Sequence, residues 1–426
     1  MAGCEAAFQI ASMGVKVDLY EQKPIRRSPA HKSDFFAELV CSNSFRASDI
    51  SNAVGLLKEE MRLLNSLIIK CADESRVPAG GALAVDRDIF AEKVSREMIS
   101  NPNINVINME VGSQLPDGFV IIATGPLTDG VFAETIADIV GDNYLFFFDA
   151  AAPIVYADSI DFSKVYKASR YSKGGGDDYI NCPMDERQYD TFYREIVNAE
   201  CVVHKEFEQN VFEGCMPIEV MACRGRDTML FGPLKPVGLP KPDGTLPFAV
   251  VQLRQDNLTA SLYNMVGFQT HLTFPEQRRV FSLIPGLEEA EFARFGVMHR
   301  NSYINSPGTL GKNYKVRWRD NIYFAGQITG VEGYVESAAS GLIAGIDLGS
   351  RIVGVSEPDF GCDTAVGALS EYVSSYSGKN FQPMNINFGI ISPLDKKVRN
   401  KKEKNLMIAE RALDKIKSIV DCLEKS

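Results

Sequence analysis

Two hydrophobic periods alternate along the chain, one suited to short buried strands and one to helices that bury a single face. The run Ile322–Ala325 reads as a buried strand that breaks at Gly326. After Gly330 and Gly333 it gives way to a helix whose first turns are Ser337, Ala338, Ala339, Ser340 and Gly341. Val120–Leu127, VIIATGPL, is a second buried strand, ending in Ala-Thr-Gly. The chain opens with a helix of small residues, AGCEAAFQIASM, closed at Gly14 and followed by the strand VKVDLYE. Between Ser51 and Ala72 the apolar positions Leu56, Leu57, Leu63, Leu64, Leu67 and Ile68 predict one long amphipathic helix. Farther on, AVVQLRQ and YNMVGFQTHL read as strands.

A helix start built from small residues can lie against a flat ligand, and its N–H groups and dipole favour partial negative charge there. That suits the pyrimidine end of a flavin, although a tightly packed strand–helix corner accounts for the segment equally well. Two other segments tip the balance. Ala-Thr-Gly at a strand end is a frequent approach to a bound dinucleotide, which makes Gly125, Gly326 and Gly333 candidate cofactor contacts. Glu21 lies eighteen positions after Gly3, where a Rossmann unit places the carboxylate that accepts from a ribose hydroxyl. Of the glycine-rich phosphate loop only Ala2 and Gly3 are present. The first strand is therefore expected to be missing, with weaker flavin retention as the consequence. Three such pieces in this order predict an α/β fold, a Rossmann-type FAD-binding domain assembled from both chain ends. It comprises residues 1–150 and 295–426, with 151–294 an inserted α+β domain carrying a Gly174–Asp178 turn and a Pro/Gly-rich loop at Gly232–Pro247.

Composition narrows the class. With 426 residues, 45% hydrophobic and 23% charged, the chain is an ordinary globular protein of two or three lobes. No apolar run approaches the ~20 residues of a membrane span, and no charged-then-apolar leader is seen; a cytoplasmic location is expected. Nine cysteines without CxxC pairs predict reduced thiols rather than a disulfide framework. The four histidines, His31, His204, His271 and His299, show no metal-ligand spacing, and no metal is expected. A net charge of −10 excludes a generally basic nucleic-acid protein, but Lys396–Lys404 puts six basic residues in nine.

Cysteine is usually a small buried hydrophobe, yet two thiols stand in unusual settings. Cys41, in ELVCSNSFR, follows an apolar pair and opens into polar residues, with Arg46 placed to lower its pKa. Cys215 lies between a glycine and Met-Pro in FEGCMPIEVM, and Cys223 beside Arg224 and Arg226 is a weaker candidate. Cys71, Cys182, Cys201, Cys362 and Cys422 read as structural. A cysteine pair in a flavoprotein either exchanges electrons with the flavin, or divides nucleophilic attack on an electrophilic ring carbon from proton transfer. Composition does not choose between these.

VCSNSFRASDISNAVGLLKEEMR, VPAGGALAVDR, FDAAAPIV, EGCMPIEVMA, GVMHRNSYINSP, FAGQITGVEGYVESAASGLIAG and KNFQPMNINFGI resemble the folate- and FAD-dependent tRNA (uracil-5-)-methyltransferase family, TrmFO, itself related to the GidA/MnmG family. The resemblance runs from residue 2 to about 410. It implies transfer of the methylene of 5,10-methylenetetrahydrofolate to C5 of uridine 54 in the tRNA T-loop, with NADH or NADPH as reductant and FAD as carrier. Cys215 matches the family cysteine that attacks C6 of the uracil, and Cys41 the one that removes the C5 proton. An unactivated C5 needs such addition at C6 before it can attack a one-carbon electrophile. His299, Arg300 and Asn301 are folate or flavin contacts on the same reading, or equally a structural polar cluster. Three rival readings remain: the same chemistry on a ribosomal-RNA uridine, a GidA-like wobble-uridine enzyme, and a decayed RNA-binding flavoprotein module. The wobble-uridine enzymes carry a longer helical C-terminal region, and the intact cysteines and flavin helix oppose the decayed module.

Overall fold

The computed structural model describes residues 1–141, 144–202, 216–378 and 381–425; the side chains at 144–149, 299, 300 and 425 also lie outside the description. In chain order the first elements are α1 (Ala2–Ser12), β1 (Val17–Glu21), β2 (Ser44–Ala47), α2 (Ala53–Leu63), α3 (Leu67–Asp73), β3 (Arg76–Val77), β4 (Ala82–Val85), α4 (Arg87–Ser100), β5 (Ile104–Asn108), β6 (Val120–Ile122), α5 (Gly130–Val140) and β7 (Tyr144–Ala150). There follow β8 (Ile154–Tyr156), β9 (Tyr166–Lys167), β10 (Tyr179–Met184), α6 (Glu186–Val197), α7 (Ile218–Cys223), α8 (Thr228–Phe231), β11 (Ala249–Gln255), β12 (Leu262–Met265), α9 (Phe274–Phe281) and β13 (Phe292–Arg294). The chain then runs through β14 (Met298–Ile304), β15 (Ile322–Phe324), α10 (Tyr334–Val353), α11 (Ala365–Ser375) and α12 (Lys401–Lys425).

The cofactor-type elements lie on two separate parallel two-stranded sheets: β1 with β5, Val17 opposite Ile104, and β15 with β6, Ile322 opposite Val120. Parallel strands buried on both faces read as apolar runs, which is why VIIA and IYFA stood out in the sequence. Helix α1 packs against β1, β5 and β6, and against α10 along most of its length. Small residues make that close approach possible. A Cβ at Gly341 would come within 2.2 Å of the Ala2 carbonyl oxygen, and one at Gly345 within 2.8 Å of the Ala6 Cα. The glycines inside α10 therefore serve helix packing.

The long amphipathic helix expected between Ser51 and Ala72 is in fact two. The chain turns at Asn65, whose φ is 56°, and Ser66 caps α3 by accepting from the Ile69 N–H. Buried Glu5 supplies the physical reason: its carboxylate accepts from the Ser66 hydroxyl at 2.7 Å and the Ile68 N–H at 2.9 Å. That anchors the break to α1 and saves orphan donors at the second helix start.

Strands from β8 to β13 form one antiparallel sheet in the order β13-β8-β12-β11-β10-β9, with its own core around Tyr189, Phe192, Phe268 and Phe281. A larger core spans α1 to α4, β15 and α10 to α12. The two are joined by the antiparallel pair β7–β14 and by polar contacts near Asn43. Its amide donates to Val85 O at 2.9 Å and Gln255 O at 3.0 Å, while buried Arg254 donates to Asn43 Oδ1 at 2.9 Å and Ser42 Oγ at 2.7 Å. No helix among the described residues is long and apolar enough to cross a membrane.

Candidate functional site

Cys41 sits beside that seam, partly exposed, between the two cores. Its N–H donates to the Tyr334 hydroxyl oxygen at 2.8 Å, and the Ser42 N–H reaches the same oxygen at 3.3 Å. Tyr334 is the first residue of α10, so the backbone at Cys41 is tied to the start of the small-residue helix. Arg87 lies beneath: it donates to Leu39 O and, at 3.5 Å, to Cys41 O, and is fixed by Asp256 at 2.9 Å. Arg294 shares this surrounding, and burial together with neighbouring Arg87 lowers its pKa. Burial likewise pushes the Tyr334 hydroxyl well above its ordinary range.

Cations other than the one nearest in sequence also act on Cys41. The Arg46 guanidinium pairs with buried Glu336, while Arg87 and Arg294 both interact electrostatically with Cys41. Arg46 occupies the left-handed region at φ 61°, a strained place for a residue with a Cβ, and its N–H is held by Ser44 Oγ at 3.0 Å. Sequence proximity suggested Arg46, whereas Arg87 and Arg294 come from remote positions that only folding brings near.

The start of α10 has the properties of a ligand cradle. Gly333 precedes it at φ 107° and, as a glycine, offers no side chain to cap its first N–H groups. A Cβ at Gly333 would lie 2.5 Å from Glu336 Oε2, an oxygen that is buried without a hydrogen-bond partner among the described residues. The other carboxylate oxygen accepts from the Ile386 N–H at 2.9 Å. Gly326, at φ 88°, donates its N–H to Ser340 Oγ at 2.7 Å, and a Cβ there would meet that of Ala2 at 3.2 Å. A Cβ at Gly3 would meet Ala123 Cβ at 3.3 Å, and Gly125 at φ 79° faces open space. Ala2, Gly3, Gly125 and Gly326 thus gather where the ends of β6 and β15 meet α1. Glu21 ends β1 and accepts from the Lys23 N–H at 3.0 Å. Asn301 is buried on β14 opposite Phe147; His299 and Arg300 belong to the same strand, and their side chains lie outside the description. Cys215 also lies outside the described residues.

Cys223 is exposed at the end of α7, and Cys71 and Cys182 are buried, whereas Cys201 is only partly covered and stands beside His271 and Glu219. The tail has a neighbour that its sequence position does not suggest. The carboxylate of Asp49, held below its ordinary range chiefly by the Ser51 N–H and hydroxyl, feels both Lys402 and Lys173.

A parallel αβ cofactor fold with a thiol at the mouth of its small-residue helix defines a class, and comparison with known proteins agrees. The family model described as glucose inhibited division protein A, GidA, matches residues 1–355. A solved structure of Aquifex aeolicus GidA superimposes with a TM-score of 0.71 at 16% identity, covering 99% of this chain and 71% of that one. Among curated relatives, the methylenetetrahydrofolate–tRNA-(uracil-5-)-methyltransferase TrmFO of Acetivibrio thermocellus is 59% identical over 422 residues, 99% of this chain and 97% of that protein. The TrmFO proteins of Listeria welshimeri and Bacillus cereus are 56% and 55% identical over 423 residues, with 99% and 97% of the two chains covered. The chain belongs to the TrmFO family, within the wider GidA group.

Proposed function

We propose that the protein is a folate- and FAD-dependent methyltransferase that forms 5-methyluridine at position 54 of the tRNA T-loop. The observation that carries this reading is near full-length relation to proteins named for that activity, together with a cysteine, Cys41, whose backbone is held at the start of α10. FAD, when bound, supplies the redox chemistry and carries the one-carbon unit from 5,10-methylenetetrahydrofolate, with NAD(P)H as reductant. The residues present fit it. The start of α10 behind Gly333, the orphaned Glu336 oxygen and the open space at Gly125 are the features that support such a site. Glu21, at the end of β1, would accept from the ribose, and Gly326 and Gly333 would let the backbone approach.

This chain's residues divide the uracil chemistry. The Cys215 thiolate would add to C6 and so make C5 nucleophilic; after C5 acquires the carbon, the Cys41 sulfur would take the C5 proton and allow elimination from C6. Arg87 and Arg294 favour the thiolate at Cys41, and the Tyr334 hydroxyl oxygen, accepting two N–H bonds, fixes where that backbone stands. Asn301 is buried on the strand that carries His299 and Arg300, and these three would position the folate or flavin.

The test is mass analysis of nucleosides in tRNA and rRNA from cells lacking the protein, followed by assay of the purified enzyme with T-loop RNA, methylenetetrahydrofolate and NADPH. Loss of 5-methyluridine from tRNA alone is the expected result. Loss from rRNA with tRNA unchanged would move the target to a ribosomal uridine.

A further inference from the structure

Away from the flavin-type cradle, on the face of the second core, lies a cluster that the methyl-transfer chemistry does not use. Cys201, Glu219 and His271 bring one sulfur, one carboxylate oxygen and one imidazole nitrogen within 4.8 Å of one another. We propose that these three residues, with Cys223 as the fourth ligand, form a binding site for a thiophilic divalent cation of the zinc type.

The donors suit that ion. Zinc takes sulfur, imidazole nitrogen and carboxylate oxygen in tetrahedral sites at about 2.0–2.3 Å, which sets neighbouring donors roughly 3.3–3.8 Å apart. Closing these three donors onto an ion thus needs shifts of the order of 1 Å, and Cys223, outside that 4.8 Å group, must move in farther to complete the set. One of the ligands, Glu219, is already oriented by hydrogen bonds from outside the donor set, as metal ligands usually are. Glu219 Oε2 accepts from the Thr270 hydroxyl at 2.8 Å, and Oε1 from the His271 N–H at 2.8 Å. The His271 ring is ion-paired with the same carboxylate, and both side chains are buried. Cys201 is held by a backbone bridge to Leu272 and by the Val202 N–H, which donates to His271 O at 2.9 Å. Glu219 and Cys223 stand four residues apart on α7 and share a face of that helix.

The electrostatics agree with this grouping. Burial raises the Cys223 thiol, and Cys201 and Glu219 nearby add to the rise. Burial works to lower the pKa of His271, but hydrogen bonds to Cys201 and Glu219 carry it up to about 9. A cation entering here would displace the imidazolium proton and the thiol protons, so binding strengthens as pH rises. The cluster also joins two separated pieces of chain. Cys201 precedes the stretch 203–215 and Glu219 follows it, and Ile218 N–H donates to Gln269 O at 2.8 Å, two residues before His271. An ion would cross-link the flanks of the segment that carries Cys215.

The full-length flavoprotein, first stripped with a chelator, is titrated with zinc in competition with a chromophoric zinc chelator. One zinc per chain is expected, with sulfur and nitrogen or oxygen neighbours in zinc-edge X-ray absorption. Cys201→Ser and Cys223→Ser should each weaken binding at least about tenfold, whereas Cys422→Ser on α12 should leave it unchanged. Flavin content and the melting temperature of each variant report whether the fold survives. Absence of stoichiometric zinc in the parent protein overturns the proposal. So does unchanged affinity in either the Cys201 or the Cys223 variant, or zinc lost with Cys215→Ala and kept with Cys201→Ser. None of these readouts depends on methyl transfer, so a failed zinc site leaves the proposed function standing, and the reverse holds.

Discussion

Single residues in this protein carry two kinds of work, and their variants should separate. Cys215→Ala is expected to abolish methyl transfer while NAD(P)H still reduces the flavin, because the thiol is assigned to uracil and not to hydride transfer. Stopped-flow bleaching of the flavin alongside 5-methyluridine formation measures both; loss of both activities would point to a structural or redox role. Glu60 makes a different prediction. Its buried carboxyl is pushed up to about 8 by burial, although it accepts from the Ala365 and Val366 N–H groups at the start of α11. A folded pKa raised above the ordinary value of 4.5 means that the folded state binds the proton more tightly. Its stabilising contribution is therefore complete below about pH 4.5 and is lost as pH rises through about 8. Glu60→Gln should remove up to about 1.4 kcal/mol per pH unit of that decline. Urea unfolding at several pH values tests it, and an unchanged slope would show that Glu60 does not titrate in this window.

At the level of elements, the contact between α1 and α10 decides how the cofactor cradle is built. Gly341 has no room for a Cβ, because the Ala2 carbonyl would stand 2.2 Å from it. Gly341→Ala is expected to force the helices apart at a cost of about 1–3 kcal/mol and to lower flavin occupancy, since Ala2 also touches the Gly326 turn. Denaturant unfolding and the flavin-to-protein absorbance ratio give the two readings. A variant with parental stability and full flavin would show that the helices can yield there. Arg46 and Glu336 tie β2 to α10 in the same way. Arg46→Met would leave Glu336 as a buried carboxylate without its cation, so a fall in flavin occupancy as well as in stability is expected.

On the scale of the whole molecule, a protein of net charge −10 must meet a polyanion through a local surface. The fold places Lys402, at the start of α12, and Lys173, from the turn near the second sheet, around one acid, Asp49. Asn405 fixes the helix there by donating to Ser51 O at 3.0 Å. The tail and the turn therefore face the same region, close to β2 and the Cys41 seam. Neutralising Lys396, Lys397, Lys401 and Lys402 should weaken tRNA binding and flatten the log–log salt dependence by about 0.7–0.9 for each phosphate that no longer meets a cation. Unchanged affinity and slope would remove the tail from the docking surface.

Apolar runs and small-residue helix starts made the nucleotide-type elements legible from sequence, because strand burial and close helix approach leave direct marks on residue choice. The helix at Ala2, the strands at Val17, Val120 and Ile322 and the helix at Tyr334 follow from such marks, and so does the selection of Cys41. Local chemistry hid the break at Asn65: the apolar pattern runs through it, and only Glu5, from a distant helix, stabilises the second start. Arg87 and Arg294 at Cys41 were likewise invisible, because the charge a thiol feels depends on distance in space. The same holds for Cys201, Glu219 and His271, whose separations along the chain match no ligand spacing. Sequence alone thus determined the fold class, the family and several of the strands and helices on which the cofactor contacts are proposed. Tertiary structure decided which cations surround the thiol and which basic segments share a surface, since electrostatic neighbours are fixed by packing between remote elements and leave no local period in the sequence.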